Sequence, residues 1–473
     1  MSNQGWNLFY RQLITSVASS VIDVHKKIRV DDSVRNPVVS SLTPYLNACG
    51  YILSLCVLIN SSPVQAQPIV PAADGTNTIV TPNGNQLDIQ GGSFSEDGSN
   101  LFHDFEQFGL NSGQTANFWS TPQIQNILGR VSGGNPSLIN GLIQVIGGNS
   151  NLYLMNPAGI IFGSDASLNL PAAFTATTAT GIGVDGGWFN AFGTNDYTSL
   201  VGTPNAFQFD SATGAIINAA DLALQPGQNL SLIGTTVINT GTLQTDGGTI
   251  TLTAVPGTSR VRLSQAGQLL SLEIEAPTDN QGNPVPIMAR SLPELLTGSG
   301  VDVGLTVNPD NGVQTAAGTL IPTESGTTVN SGVLDVSTPD SQGGIVRVLG
   351  DVVGVVDNAQ INAYGANGGG TVLIGGDYRG AGTVPNAELT VVGKEAEINA
   401  DALDAGDGGT VIVWADDTTR FWGNISARGG MVSGNGGLVE VSGKQNLMVQ
   451  GTVDLSAANG GLGTLLLVKT RLK

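Results

Sequence analysis

Five short apolar segments recur in the C-terminal part of the chain, and each follows a glycine-rich turn. In all five the second and fourth residues are apolar, whereas the third is Arg, Leu, Ile, Glu or Leu. This alternation is typical of a β-strand with one face in a core and the other face free to vary. The segments start 26, 39, 28 and 26 residues apart. They are residues 345–348, 371–374, 410–413, 438–441 and 464–467.

A second predicted strand precedes each segment by about a dozen residues. These strands are centred on Leu334, Ile361, Ile398, Ile425 and Val453. A repeat of about 25 residues with two or three short strands and Gly or Asn corners is typical of a β-solenoid coil. Because parallel crossovers are almost always right-handed, the sequence predicts an all-β fold, a right-handed parallel β-helix. The interval of 39 residues predicts one coil with an added loop near residues 379–388.

The composition agrees with a β-rich chain. Glycine accounts for 66 of 473 residues, charged residues for 12% and aromatic residues for 5%, which is poor material for a helical core. A hydrophobic content of 40% argues against disorder. We therefore expect one long repetitive architecture with many tight turns.

Residues 1–66 follow the order of a long secretory signal peptide. A modestly basic segment is followed by an apolar run at 50–59 and then by a small-residue cleavage site, which predicts cleavage between Ala66 and Gln67. The apolar run is too short to span a bilayer comfortably, so a stable membrane anchor is the weaker interpretation. The sequence predicts export from the cytoplasm.

The mature chain would contain no cysteine, because Cys49 and Cys56 both lie in the leader. Its fold must therefore be held by its core and its backbone ladders alone, which suits a protein that crosses a membrane unfolded. Removal of the leader leaves 13 basic and 34 acidic residues, a net charge of about −21. Such a surface repels nucleic acid and anionic lipid, so we expect neither as a partner.

Residues 149–163 contain a sharp turn between two apolar runs. Asn156, Pro157, Ala158 and Gly159 are suited to a turn, because Pro fixes φ and Gly accepts positive φ. The surrounding pattern predicts strand, turn, strand. Taken alone, the stretch is typical of a buried hairpin.

A second motif, residues 133–137 (GGNPS), lies upstream, and the pair resembles the secretion domain of two-partner-secreted exoproteins. These are the filamentous haemagglutinin-like adhesins, and the chain resembles their cyanobacterial type. One departure is Ala158, where the family usually has Asn. The family's upstream Asn-Pro-Asn-Leu motif has no clear counterpart here. The matching residues are Gly133, Gly134, Asn135, Pro136, Ser137, Asn156, Pro157, Gly159, Ile160, Ile161, Phe162 and Gly163.

The resemblance implies a secreted or cell-surface adhesin that passes through the periplasm and a cognate outer-membrane transporter with periplasmic domains. A host-cell or glycan receptor is the further implied partner. Asn135, Asn156, Gly159 and Ile160 are expected to shape the recognised surface. We expect the Asn side chains to hydrogen-bond the backbone of the turn first and to contact the partner second.

The resemblance and the residue pattern divide the chain into three parts. The leader covers 1–66, the secretion domain 67–310, and β-helix repeats 311–473, which we expect to be truncated at the C-terminus. Phe102, Phe105 and Phe108 are expected to cap the first coil. Residues 188–193 are expected in an extra-helical hairpin. Proline-rich residues 276–322 are expected to form an insertion or linker, with a helical turn at 288–296.

An active site is not expected. His103 is the one histidine of the mature chain, so we predict no catalytic triad, no metal site and no cofactor. The alternative is a β-helical polysaccharide lyase or hydrolase, which needs paired carboxylates. The pairs and clusters available are Glu273 and Glu275, Asp401 with Asp404 and Asp407, and Asp416 with Asp417 beside Arg420 and Trp422. Asp104 and Glu106 flank His103, but adjacent residues on a strand point to opposite faces. Such residues are also the usual corner residues of a solenoid, which we expect them to be.

Overall fold

The computed structural model describes residues 68–209, 214–257, 259–263, 269–273, 291–299 and 301–469. Most of its strands belong to parallel sheets, and successive coils visit these sheets in the same order. This arrangement confirms the predicted parallel β-helix. We call the three sides of the coil face 1, face 2 and face 3, in the order in which each coil forms them.

Face 1 is a sheet of 13 strands and face 2 a sheet of nine. The strands of face 1 are Val70–Pro71, Ser93–Phe94, Asn100–Gln107, Asn126–Val131, Asn151–Met155, Phe174–Thr177, Asn229–Gly234, Thr249–Ala254, Ile345–Leu349, Thr371–Ile374, Thr410–Ala415, Leu438–Gly443 and Thr464–Leu466. The strands of face 2 are Ser137–Ile139, Ile160–Phe162, Ala215–Asn218, Thr236–Asn239, Thr327–Asn330, Val352–Val355, Leu389–Val392, Thr418–Phe421 and Asn446–Val449.

Face 3 consists of a sheet of five strands followed by a sheet of seven. The first contains Thr78–Asn83, Gln86–Gly91, Thr115–Trp119, Leu142–Ile146 and Ser167–Asn169. The second contains Asp221–Ala223, Thr242–Gln244, Val333–Asp335, Gln360–Asn362, Glu397–Asn399, Asn424–Ser426 and Thr452–Asp454.

The repeats lie where the sequence pattern predicts. The first residues of the five predicted segments are register partners of one another across face 1, and the second set of strands forms face 3 with its predicted centres aligned. Within the repeats, the strands of face 2 were missed. Only Gly350 and Asp351 separate Ile345–Leu349 from Val352–Val355, so the corner is too short to interrupt the apolar run.

The added loop of the long coil is also where it was expected. It occupies residues 375–388, between Thr371–Ile374 and Leu389–Val392, and contains a 3-10 turn at Tyr378–Gly380. The loop packs on the outer side of face 1, because Val384 joins the apolar cluster of Leu373, Ile412 and Trp414. The coil stack therefore continues beneath the loop without a change of register.

The first coil is closed by antiparallel strands. Thr78–Asn83 pairs with Gln86–Gly91, and Val70–Pro71 and Ser93–Phe94 both pair with Asn100–Gln107. Phe105 and Phe108 join Phe118 inside this end of the core, as expected of a cap. Phe102 departs from the prediction, since it points to the other side of its strand and packs outside face 1.

An antiparallel outer sheet covers the outside of face 1. Its strands are Gly181–Val184, Gly187–Asn190, Ala206–Phe209, Ser259–Leu263 and Leu269–Glu273, and a 3-10 turn at Tyr197–Ser199 lies beside them. Phe189 and Phe207 of this sheet pack against Phe102, Tyr153 and Met155 of face 1. The predicted extra-helical hairpin at 188–193 is therefore present.

An insertion at 291–321 covers the outside of face 2. It comprises one helix, Leu292–Ser299, and three antiparallel strands, Leu305–Val307, Val313–Thr315 and Leu320–Ile321. Leu295 packs in one apolar cluster with Ile161 and Ile217 of face 2. The helix begins later than the predicted 288–296. Coils before and after the insertion pair directly, so the segment is an insertion within the stack.

Several predictions lie outside the described residues. These are the leader with Cys49 and Cys56, the cleavage site at Ala66 and Gln67, and Glu275. Among the described residues, no helix is both long and apolar enough to cross a bilayer. The boundary near residue 310 stays a prediction.

Candidate functional site

The two sequence motifs lie on consecutive coils, at the corner between face 1 and face 2. Ser137 and Ile160 are parallel register partners in face 2, and the backbone N–H of Ser137 donates a hydrogen bond of 2.9 Å to the carbonyl of Gly159. The structure therefore brings the motif at 133–137 and the motif at 156–163 together.

The turn at Asn156 does not form a hairpin, so that interpretation of the isolated stretch was wrong. Asn151–Met155 belongs to face 1 and Ile160–Phe162 to face 2. Each strand pairs with the coils above and below it and not with the other. A corner turns the chain onto the next face, whereas a hairpin would reverse it onto the same sheet.

The Asn156 side chain joins the two motifs. Its Nδ2 donates to the carbonyl of Asn135 at 3.0 Å and to Oγ of Ser137 at 2.9 Å, and its Oδ1 accepts from the backbone N–H of Ala158 at 3.0 Å. The side chain is fully buried. Asn156 therefore makes the expected backbone hydrogen bonds. For Asn135 it is the backbone carbonyl, rather than the side chain, that takes part.

The whole of the second motif is buried. All residues from 156 to 163 are inaccessible or nearly so. The insertion contributes to this cover: a Cβ on Gly159, whose φ is +120°, would lie 3.2 Å from Cδ2 of Leu295. A Cβ on Gly163 would lie 2.8 Å from Cγ1 of Val301. The folded corner thus presents no side chain of this motif to a partner.

The first motif is more accessible than the second. Gly134 is exposed, whereas Gly133, Asn135 and Pro136 are half-buried. Gly133 is confined by its neighbour on the preceding coil, since a Cβ there would collide with the carbonyl oxygen of Glu106. Within the corner, residues 134–136 are the part open to solvent.

Ala158, the position that departs from the family pattern, is buried with the rest of the turn. Its backbone N–H is satisfied by Asn156. The carbonyl of Ala158 lies close to Gly214, where a Cβ would come within 2.5 Å of the oxygen. The next coil therefore packs directly on this turn.

A buried ionic cluster lies just before the first motif. Arg130 donates through Nε to Oδ2 of Asp104 at 2.7 Å and through Nη2 to Oδ2 of Asp74 at 3.0 Å. Its Nη1 donates to the carbonyls of Asn190 and Gly193, at 2.7 and 3.0 Å. One guanidinium therefore ties the N-terminal segment and the first two coils to the outer sheet.

The two carboxylates of this cluster have opposite pKa shifts. Burial, together with a hydrogen bond to Asp74, raises the pKa of Asp104 to about 6, against the opposing charge of Arg130. Burial also acts to raise the pKa of Asp74, but hydrogen bonds from Asp104 and Thr76 and the charge of Arg130 outweigh it and lower that pKa. Below about pH 6 the carboxyl groups of Asp74 and Asp104 therefore hold one proton between them.

The ionic cluster predicts a pH dependence of stability. Because the pKa of Asp104 is about 6 in the folded protein and ordinarily 3.8, the folded state binds a proton more tightly between about pH 4 and 6, and stability falls as pH rises through this window. Asp74 acts in the opposite sense, but below this window. We expect the urea midpoint to rise from pH 7 to pH 5, and Asp104→Asn to flatten this slope.

Circular dichroism of urea-treated protein at several pH values measures the slope. The matched control is Asp165→Asn, because Asp165 is exposed and its replacement leaves the cluster intact. An equal slope in the wild type and in Asp104→Asn would contradict the assignment.

His103 is buried in the cap of the first coil. Its ring lies 5.9 Å from the ring of Phe118, and burial lowers its pKa to about 4. Nδ1 lies 3.4 Å from Oγ1 of Thr78. Asp104 leaves the opposite side of the same strand and bonds Arg130, so the two do not form a catalytic pair.

Three of the carboxylates weighed for an enzyme make separate contacts. Asp401 accepts two hydrogen bonds from the guanidinium of Arg428 on the next coil, at 2.7 and 2.9 Å. Asp407 accepts from Asn435, again one coil away. Asp416 accepts from Nε1 of Trp414 at 3.0 Å. Among the described residues, no group of three or more His, Cys, Asp or Glu could hold a metal.

Sequence reasoning missed the polar contacts between coils. Asn100, Asn126 and Asn151 stack through hydrogen bonds of 2.9 Å, and Asn218, Asn239 and Asn330 stack at 2.7 to 2.8 Å. The partners Asp104 and Arg130 are 26 residues apart, as are Asn100 and Asn126. Polar residues separated by one coil length were the signal that could have revealed them.

The chain is similar in sequence or in structure to several known proteins. A family profile described as "TPS secretion domain" matches residues 66–294. The crystal structure of the HMW1 secretion domain from Haemophilus influenzae aligns at 21% identity with a TM-score of 0.44, covering 85% of this chain and all of that one. The crystal structure of the filamentous hemagglutinin secretion domain aligns at 14% identity with a TM-score of 0.37, covering 84% of this chain and all of that one. No curated protein sequence matches the chain.

Proposed function

Because the chain belongs to the family of haemagglutinin-like exoproteins that carry a TPS secretion domain, we propose that residues 133–137 and 156–163 are recognised by its transporter before they fold. The family makes the protein a secreted exoprotein of a two-partner system, and the partner is a cognate outer-membrane TpsB transporter. In this proposal the transporter binds the unfolded form of the chain.

The observation that supports the proposal is the complete enclosure of Ile160–Phe162. One edge of this strand pairs with Ser137–Ile139 and the other with Ala215–Asn218, and its side chains are buried. A strand whose edges are both occupied cannot add to another sheet. In the unfolded chain the same residues have free backbone groups and a strong preference for extended structure.

We propose strand addition to the periplasmic domains of the transporter as the mode of recognition, because it uses those free backbone groups. The chain then folds outside the cell, and the motifs close into the buried corner. Asn135, Asn156, Gly159 and Ile160 act in both states: they form the recognised segment first and stabilise the corner afterwards. The route runs from the leader through the periplasm to the cell surface or the medium.

The test is a double substitution, Asn156→Ala with Gly159→Ala, in cells that co-express the transporter. We expect normal synthesis and at least tenfold less chain in the supernatant, measured by mass spectrometry of supernatant and cell fractions. The control is Asn149→Ala with Gly227→Ala, which changes the same residue types at exposed positions. Export of the motif variant at the control level would refute the proposal.

The same measurement tests the leader. A released chain that begins at Gln67, and only when the transporter is present, would support both the cleavage site and the route. A chain retained or degraded in the periplasm would count against export of this protein.

We also propose that the exported protein acts as an adhesin or another surface-interaction protein. The support is the family and the acidic, repetitive surface. Against the alternative of a β-helical polysaccharide lyase or hydrolase, Asp401, Asp407 and Asp416 form contacts within and between coils. A screen of activity on neutral and acidic glycans separates the two functions.

A further inference from the structure

We propose that the outer side of face 3, in the first coils, binds a neutral linear oligosaccharide. This surface is formed by Asp88, Trp119, Gln144 and Asn169, and the buried Asn117 lies between Asp88 and Gln144. The inference adds a ligand to the proposed adhesive role and rests on that role, but not on the transporter. It involves neither the secretion motifs nor the ionic cluster.

Four of these side chains form one straight row across four parallel strands. Asp88, Asn117, Gln144 and Asn169 are register partners in turn. Asn117 donates to Oδ1 of Asp88 at 2.8 Å, and Asn169 donates to Oε1 of Gln144 at 3.1 Å. Gln144 also donates to Asn117. The row therefore holds its side chains in fixed positions without a ligand.

The row keeps hydrogen-bonding capacity for a ligand. An amide has two N–H donors and an oxygen with two lone pairs. The contacts within the row use one N–H and one lone pair of Gln144, and one N–H of Asn169. Gln144 is half-buried and Asn169 exposed, so their remaining groups face solvent. Donors and acceptors on the same side chains suit hydroxyl groups, which are themselves both.

An indole stands beside the row. Trp119 is 42% exposed, and its Nε1 is held by Oδ1 of Asp88 at 3.2 Å. Ile146 is its register partner on the next strand. An aromatic ring that is fixed at one edge and open on its face provides an apolar surface for the C–H face of a sugar ring, and a polar tip beside it.

The spacing of the row fits a linear sugar chain. Neighbouring strands are about 4.8 Å apart, so equivalent side chains repeat at close to the length of one pyranose in an extended β-linked glycan. The charge favours a neutral chain, because Asp88 lies in the row and the protein is strongly acidic. An anionic glycan would be repelled.

In the N-terminal coils, the outer side of face 3 is the side that the described residues leave uncovered. The outer sheet packs on face 1 through Phe102 and Phe189. The insertion packs on face 2 through Leu295 and Ile161. On face 3, by contrast, the outward side chains include the exposed Trp119 and Asn169.

The test is a fluorescence titration of the full chain, recovered from the supernatant or refolded from denaturant. The probes are cellohexaose, chitohexaose and a heparin hexasaccharide. We expect saturable quenching by a neutral hexasaccharide and none by the anionic one. Trp119→Ala should abolish the quenching, and Asn169→Ala should weaken affinity by about tenfold, equivalent to about 1.4 kcal/mol.

Trp422→Ala is the matched control, because Trp422 is a half-buried indole just beyond a strand of face 2, and it should keep the quenching. Because Asn169 is exposed at the end of the row, Asn169→Ala should leave the protein folded, and weaker binding by this variant would not reflect unfolding. No quenching by either neutral probe at millimolar concentration, equal quenching in Trp119→Ala, or equal binding of heparin would each overturn the inference. Failed export would not affect a titration of refolded protein. The export proposal and the oligosaccharide proposal can therefore be refuted independently.

Discussion

Replacing Arg130 by Met is expected to lower the free energy of unfolding by about 3–5 kcal/mol, because it leaves the buried Asp104 and the partly exposed Asp74 without their cation. The guanidinium is 3% exposed and makes hydrogen bonds to Asp74 and Asp104 and to two carbonyls of the outer sheet. Urea unfolding followed by circular dichroism measures the loss. Protease should also cut the outer sheet more readily, because its tie to the first coils is gone.

The matched control for this substitution is Arg420→Met. Arg420 is exposed, and a surface change of this kind stays within about 0.5 kcal/mol. In the double variant Arg130→Met with Asp104→Asn, part of the loss should be recovered, because one unpaired charge is removed. An Arg130 variant as stable as the control would show that the cluster does not hold the N-terminal coils together.

Replacing Phe162 by Ala is expected to cost about 3–5 kcal/mol, the range for removing a buried aromatic ring from a core. Phe162 is fully buried and its ring lies 6.1 Å from that of Phe174 on face 1. The control is Phe94→Ala, because Phe94 is 49% exposed. The same urea titration applies.

The Phe162 experiment decides how the second motif should be interpreted. A large loss of stability means that its apolar residues form core in the folded protein, so a defect in export cannot be ascribed to a missing surface contact. A loss no greater than that of Phe94→Ala would mean that the motif residues are free for direct recognition in the folded state.

Much of the repeat architecture could be predicted because each coil repeats a local pattern. The strands at Thr371 and Thr410 were found from alternating apolar residues and preceding glycines, and the structure places them in register. A parallel β-helix pairs each strand with its equivalent one coil later, so correct spacing in sequence gives correct pairing in space. This advantage disappears wherever the chain leaves the stack.

The outer sheet on face 1 and the insertion on face 2 could not be predicted from the repeat pattern. The contact of Gly159 with Leu295 joins residues far apart in sequence, and no local periodicity relates them. The same holds for Arg130 and the carbonyl of Gly193. The two motifs were found from the sequence, but burial of the second depends in part on the insertion, which no local pattern relates to it.

Because Gly159 lies close to Leu295, the proposed export route sets a minimum length of chain that must cross the membrane before the corner can close. The two residues are 136 positions apart, so on the proposed export route the corner cannot close until both have crossed the membrane, whichever end comes first. Until then Ile161 lacks its apolar cover from the helix Leu292–Ser299. On that route, closure of the corner would follow emergence and folding of the insertion.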